Sequence, residues 1–186
     1  EAHLQIRPET PDGQGAWLVV WESNENLNGQ NGTDRDILFA RSDNNGETWA
    51  DPAPVNNNAT TDPGVDEIPS ITSDGHGNWM ATWDGNNAAD GMIGTEYDAF
   101  VAHSTDNGAT WTDPLALNTN ASGDTGDDYF ALVFPDGRGN WIAVWESTEN
   151  VGGQIGTDFD IFTFRFTFPD CNANGIEDGQ DIADAT

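Results

Sequence analysis

Lysine is absent from this 186-residue sequence. Its only cationic side chains, histidine aside, are five arginines, Arg7, Arg35, Arg41, Arg138 and Arg165, set against 33 acidic side chains for a net charge of −28. Nucleic acid is excluded as a partner, because a polyanion needs clustered cationic side chains. An anionic lipid surface is disfavoured for the same reason. The single cysteine, Cys171, leaves no internal disulfide, so the framework must rest on packing, bound cations or contacts with other chains. No apolar run exceeds six residues (16–21 and 129–134), which predicts no membrane insertion, and residues 1–7 carry no basic-then-apolar leader. So negative a fold repels itself, and divalent cations on carboxylate pairs are a natural remedy.

What the sequence has in excess is turn chemistry. Asp (23), Asn (19) and Gly (21) supply about a third of the chain, while eight Trp and nine Phe argue against disorder. The composition predicts a β protein with many loops. The chain is also a repeat. Asp12-Gly13-Gln14-Gly15-Ala16-Trp17 returns as Asp74-Gly75-His76-Gly77-Asn78-Trp79 and as Asp136-Gly137-Arg138-Gly139-Asn140-Trp141, 62 residues apart each time. Trp21, Trp83 and Trp145 keep that spacing, as do Asp36, Asp98 and Asp160.

Each unit reads as four strands separated by turn residues. The first approaches the Asp-Gly turn, as in 66–73. The second is 16–22, 78–84 or 140–146, the third 36–42, 98–104 or 160–166. The fourth starts at Thr48 or Thr110 and runs through the following Asp-Pro. In the second strand Trp79, Ala81 and Trp83 alternate with Met80 and Thr82, so both faces are largely apolar and the sheet should be covered on both sides. Small four-stranded sheets covered by their neighbours are propeller blades.

Ser104-Thr105-Asp106-Asn107-Gly108-Ala109-Thr110-Trp111 resembles the Asp-box of sialidase-type (BNR-repeat) propellers. Ser42-Asp43-Asn44-Asn45-Gly46-Glu47-Thr48-Trp49 is a second copy with Asn44 in place of Asp. In that family the box is the hairpin between a blade's third and fourth strands. The resemblance implies a structural role for Ser42, Asn44, Gly46, Thr48 and Trp49, and for Ser104, Asp106, Gly108, Thr110 and Trp111. Unit three has Phe166 where the box would begin, then Pro169, so neither a box nor a fourth strand is expected. The fold expected is all-β: a propeller-like array of three blades (1–62, 63–124 and an incomplete 125–168) with a calcium-loop tail at 169–186. Three blades fall short of the roughly four to eight that close a propeller. The array is therefore expected to self-associate or to join an upstream segment of a longer chain, with strand donation through 160–166 giving a ring or fibre.

The tail places oxygen side chains at positions 1, 3, 5, 9 and 12 of a twelve-residue loop with Gly175 at position 6, a pattern that suits calcium. It resembles thrombospondin type 3 and, less closely, dockerin loops. The ligands expected are Asp170, Asn172, Asn174, the Ile176 carbonyl, Asp178 and Asp181, with Ca2+ as cofactor. A second acidic set, Glu22, Asp34 and Asp36, recurs as Asp84, Glu96 and Asp98 and as Glu146, Asp158 and Asp160. Repetition in every unit predicts that these carboxylates close loops rather than hold cations. Asn31, Asn58 and Asn120 head N-glycosylation sequons.

For catalysis, the sialidase resemblance implies an arginine triad, a Tyr–Glu nucleophile pair and an acidic Asp. The family's Arg-Ile-Pro strand reads Glu67-Ile68-Pro69 here, the arginines do not recur at the blade period, and Tyr97 and Tyr129 are the only tyrosines. The expectation is a non-catalytic, extracellular or cell-surface module with a structural or adhesive role, possessing no enzyme activity. The alternative is the C-terminal half of a six-bladed sialidase-like propeller that binds or processes glycans.

Overall fold

The computed structural model describes residues 15–86, 96–118, 121–123, 125–150, 153, 156 and 158–167. Among them are ten strands and no α-helix, the strands arranged as three antiparallel sheets. The first sheet holds β1 (Trp17–Ser23), β2 (Asp36–Ser42) and β3 (Ala53–Pro54). The second holds β4 (Asp66–Ser73), β5 (Trp79–Gly85), β6 (Asp98–Ser104) and β7 (Leu115–Ala116) in that spatial order. The third holds β8 (Asp128–Pro135), β9 (Asn140–Ser147) and β10 (Asp160–Thr167). Each is an up-and-down meander, as expected of a blade.

The fourth strand is far shorter than the sequence suggests. Pairing is confined to Leu38 with Pro54 and Phe39 with Ala53, and to Phe100 with Ala116 and Val101 with Leu115. Prolines explain it. Pro52, Pro54 and Pro114 have no N–H to give a ladder. The preceding residues are held by single backbone bonds, Ala50 to the Arg41 carbonyl and Thr112 to that of His103.

The alternation in the second strand sets how the sheets stack. Every residue of β5 is buried. Trp79, Ala81 and Trp83 join Leu18, Val20 and Ile37 in one core, while Met80 packs with Trp141, Ala143 and Trp145 in another. Each core is therefore the interface between two sheets, formed by the tryptophan face of one blade on the aliphatic face of the blade before. Among the described residues, the outer sheets have a neighbouring sheet on one side alone. Leu18 and Met80 are 1% and 2% exposed, but Ile142, at the same place in the third sheet, is 45% exposed.

Candidate functional site

The strand directions put the Asp-Gly turns and the Asp-box hairpins at one end of the sheets and the long acidic loops at the other. The box end is structural chemistry. Asp106 accepts the Ser104 hydroxyl, the Thr110 N–H and the Thr110 hydroxyl at 2.7–2.9 Å, and these bonds hold its pKa below the usual carboxylate range against the opposing pull of burial. Asn44 makes the same set with one polarity reversed. Its Oδ1 accepts from Ser42 and the Thr48 N–H, and its Nδ2 donates to Thr48 Oγ1 at 2.8 Å. Each hairpin is also tied to its own blade's Asp-Gly turn, Asn45 N–H to Gly15 O and Asn107 N–H to Gly77 O. Trp111 packs edge-on against Phe39 of the preceding blade at 5.7 Å. Trp49, with no described blade before it, is 42% exposed.

At the acidic-loop end, Glu22 and Asp84 finish the second strands of their blades. Each reaches into the next blade. Glu22 Oε2 accepts the Ile68 N–H at 2.9 Å, and Asp84 accepts the Phe130 N–H at 3.0 and 3.1 Å. Ile68 and Phe130 sit in the bulges that break the ladders of β4 and β8, with φ of 55° and 58°. Positive φ is strained for such side chains. The carboxylates from the neighbouring blades accept the N–H groups that the bulges release from the ladder. Burial pushes Asp84 up to about 7 despite these bonds.

Around the first of these clamps lies a charged and aromatic group. Arg35 bridges Glu22 and Glu67, each at 3.0 Å. Burial, followed by the charge of the nearby Glu67 carboxylate, raises the Tyr97 hydroxyl above its ordinary value. Tyr97 lies against Tyr129 with ring centroids 5.5 Å apart, and Tyr129 in turn meets Phe130 and Phe159. Loop residue 35, strand residue 67 and loop residue 97 belong to two adjacent sheets, so only the stacking of blades brings them together. Glu67, which replaces the expected arginine, is thus supplied with an arginine from the blade before.

A second, buried group lies within the first blade. Carboxylate oxygens of Asp34, Asp36 and Asp62 fall within 4.8 Å of one another and have the spacing to hold a cation. The Asn56 amide donates to Asp36 Oδ1 at 3.0 Å and to Asp66 Oδ2 at 2.9 Å. Burial and the neighbouring carboxylates raise Asp36 to about 6 and Asp62 to about 7, and raise Asp66 well above its ordinary value. Asp34 and Asp36 were expected only to close a loop. Asp62 and Asn56 were not singled out, although Asp124 and Asn118 repeat them at the 62-residue period. In the second blade Asn118 donates to Asp98 at 3.1 Å, as Asn56 does to Asp36.

Other expected sites fare differently. Asp170, Asn172, Asn174, Ile176, Asp178, Asp181 and Asn120 lie outside the described residues. Asn31 is 2% exposed, so a glycan on its amide does not fit the folded blade; Asn58 is half-buried. Asp34 accepts the Thr33 N–H at 3.1 Å, a loop-closing bond of the kind expected, while Glu22 is directed to the next blade and Asp34 and Asp36 lie beside Asp62.

No family profile and no curated protein sequence matches the chain. Solved structures match it in fold. The Hadza microbial sialidase Hz136 superposes with a TM-score of 0.59 at 13% identity, over 89% of this chain and 35% of that one. The α-L-arabinanase of Penicillium chrysogenum, solved with arabinobiose, gives 0.52 at 18% identity, over 91% and 46%. The intramolecular trans-sialidase of Ruminococcus gnavus gives 0.52 at 10% identity, over 93% and 62%. The fold is therefore a β-propeller fold of the sialidase and arabinanase kind, and the chain spans between about a third and two thirds of the length of these proteins. This overturns the expectation that the chain is not an enzyme, which rested on the missing arginine triad. An arginine triad serves a substrate carboxylate, and arabinobiose, bound by a protein of the same fold, has none. The missing triad therefore says nothing against glycan chemistry.

Proposed function

We propose that the chain is the blade-forming part of a secreted propeller that binds or processes neutral glycans at its acidic-loop face. The observation that carries this reading is the Arg35–Glu67–Tyr97 group with Tyr129 beside it, in a fold shared with glycoside hydrolases. Tyrosine rings offer the flat apolar surface against which a sugar ring packs, and the carboxylate and guanidinium supply hydrogen bonds to hydroxyls. A tyrosine hydroxyl beside a carboxylate also pairs a nucleophile with a base. Arg35 is spent on two carboxylates, and the surrounding charge is negative, which favours a neutral sugar over an anionic one. The calcium-loop sequence pattern at 170–181 is in keeping with secretion, since a weak single site of that kind fills only at the calcium levels found outside cells.

The assembly follows the stacking of the blades. The half-buried Trp17–Trp21 face of the first sheet and the bare Ile142 face of the third have the same chemistry as the two faces that meet inside the chain. A second copy stacked head to tail would cover one of these faces, or both where the pair closes into a ring, and double the number of blades.

The function is tested by calorimetry with neutral arabino-oligosaccharides and with sialyllactose, and by release of fluorogenic arabinosides and sialosides. Binding or turnover is expected with the neutral ligands and should fall about tenfold or more in Tyr97→Phe and Glu67→Gln, as when a bonded substrate contact is lost. Neither binding nor turnover with any neutral glycan, or wild-type behaviour of both variants, overturns the reading.

A further inference from the structure

We propose that Asn31, Asp34, Asp36, Asn56, Asn58 and Asp62 form a calcium site inside the first blade, at the same acidic-loop end as Arg35 and built from none of the tail residues. Six buried side-chain oxygens of these residues have no hydrogen-bond partner: Asn31 Oδ1, Asp34 Oδ2, Asp36 Oδ2, Asn56 Oδ1, Asn58 Oδ1 and Asp62 Oδ2. Four of these residues are nearly sealed from water, Asp36 and Asn56 at 0% exposure, Asn31 at 2% and Asp62 at 5%. Buried oxygens in native proteins are almost always satisfied. An isolated buried carboxylate costs several kcal/mol unless something of opposite charge pairs with it, and this group holds two, Asp36 and Asp62, beside the half-buried Asp34.

The arrangement points to a cation rather than to absent hydrogen-bond donors. The three carboxylates approach within 4.8 Å, inside the span of about 5 Å that two oxygens on one calcium ion reach at 2.3–2.6 Å each. The Asn56 amide spends both its N–H groups on Asp36 and Asp66, so its unpartnered oxygen is held beside the cluster. Asp62 is held from the other side by the Gly64 N–H on its second oxygen. The loop at 31–34 closes onto this point through Gly32, where an added Cβ would lie 2.6 Å from Asp34 Oδ1 and 2.9 Å from the Ala59 carbonyl. All six donors are oxygens, with no nitrogen or sulfur ligand among them, which selects a hard cation. Calcium accepts six to eight oxygens in flexible geometry, whereas magnesium demands a near-ideal octahedron and keeps its waters. The sequence repeats the set as Glu96, Asp98, Asn118 and Asp124 in the second unit.

The test is calorimetric titration of the EDTA-stripped chain with CaCl2, paired with thermal melts in calcium, magnesium and EDTA. Wild type, Asp62→Asn, Asp34→Asn and the tail variant Asp170→Ala are compared, with far-ultraviolet circular dichroism to establish that each is folded. Asp62→Asn keeps the bond to Gly64 and should lose one equivalent of bound calcium, or weaken it about tenfold or more, the scale on which even outer partners of a metal act. Asp34→Asn should do the same, and Asp170→Ala should keep this equivalent. The same calcium stoichiometry and affinity in folded Asp62→Asn, Asp34→Asn and wild type would overturn the proposal. So would complete loss of calcium uptake in Asp170→Ala, or equal stabilisation by magnesium and calcium.

Discussion

A single glycine shows how one residue serves both turn and interface. Gly108 has a φ of +74°, and an added Cβ would fall 2.2 Å from Leu18 Cδ2 of the preceding blade. Gly46, its equivalent in the first hairpin, has a φ of +82° but meets nothing nearer than Trp49 at 3.9 Å. Both glycines are required by the left-handed backbone, yet only Gly108 is also required by packing. Gly46→Ala should cost about 1–2 kcal/mol, the strain of a Cβ at positive φ. Gly108→Ala should cost about 1–3 kcal/mol more, the penalty of overpacking a buried contact. Urea denaturation of both variants measures the difference; equal losses would show that Leu18 yields without cost. The residue pattern Asn-Gly marked both turns, but the sequence contained nothing to distinguish them. The distinction depends on which blade lies behind each hairpin.

At the scale of the strand, the bulges of β4 and β8 are the joints between blades. Asp84 finishes β5 and accepts the N–H of Phe130 in β8, so the end of one sheet fixes the irregularity of the next. Its carboxyl is raised by burial to about 7, against about 3.9 in an unfolded chain. The folded state therefore holds a proton more tightly. The stability linked to Asp84 is fully present below about pH 4 and is lost as pH rises through about 7. Wild-type protein should thus gain about 1–2 kcal/mol from this group between pH 8 and pH 5.5. Asp84→Asn, which keeps an acceptor for Phe130, should lack that gain. Denaturant midpoints of the two proteins at the two pH values check it; parallel pH profiles would dissociate Asp84 from the effect. The recurrence of Glu22 and Asp84 was visible in the sequence. Their role was not, because the bulge that each one holds belongs to a different repeat.

For the whole molecule, the open ends of the array decide its behaviour in solution. Phe134, Ile142 and Ile161, at 51%, 45% and 69% exposure, line the outer face of the third sheet. Large apolar side chains exposed together on one sheet face mark an association surface. Head-to-tail stacking closes into a ring or runs on as a fibre according to its rotation. Light scattering should find particles of two or more copies at micromolar concentration, and Ile142→Asp should return them to monomers by burying an unpaired charge at the interface. Monodisperse wild-type monomer would exclude the stacking.

The sequence by itself determined the period, the strand order within each repeat, the Asp-box turns and the two apolar faces of the second strand. These follow from contacts within about 30 residues, where alternation, glycine and turn side chains act locally. It also showed that the third unit has no box. Tertiary structure alone decided which carboxylates meet. Glu22 and Asp84 were drawn to neighbouring blades, Asp34 and Asp36 to Asp62, and Arg35 to Glu67 with Tyr97. Burial and charge at those points depend on how far one sheet is rotated against the next, and a one-dimensional pattern does not carry that rotation. The enzyme question turned on the same limit. A missing arginine motif is readable in sequence, but which sugar a face accepts depends on the groups that stacking brings to it.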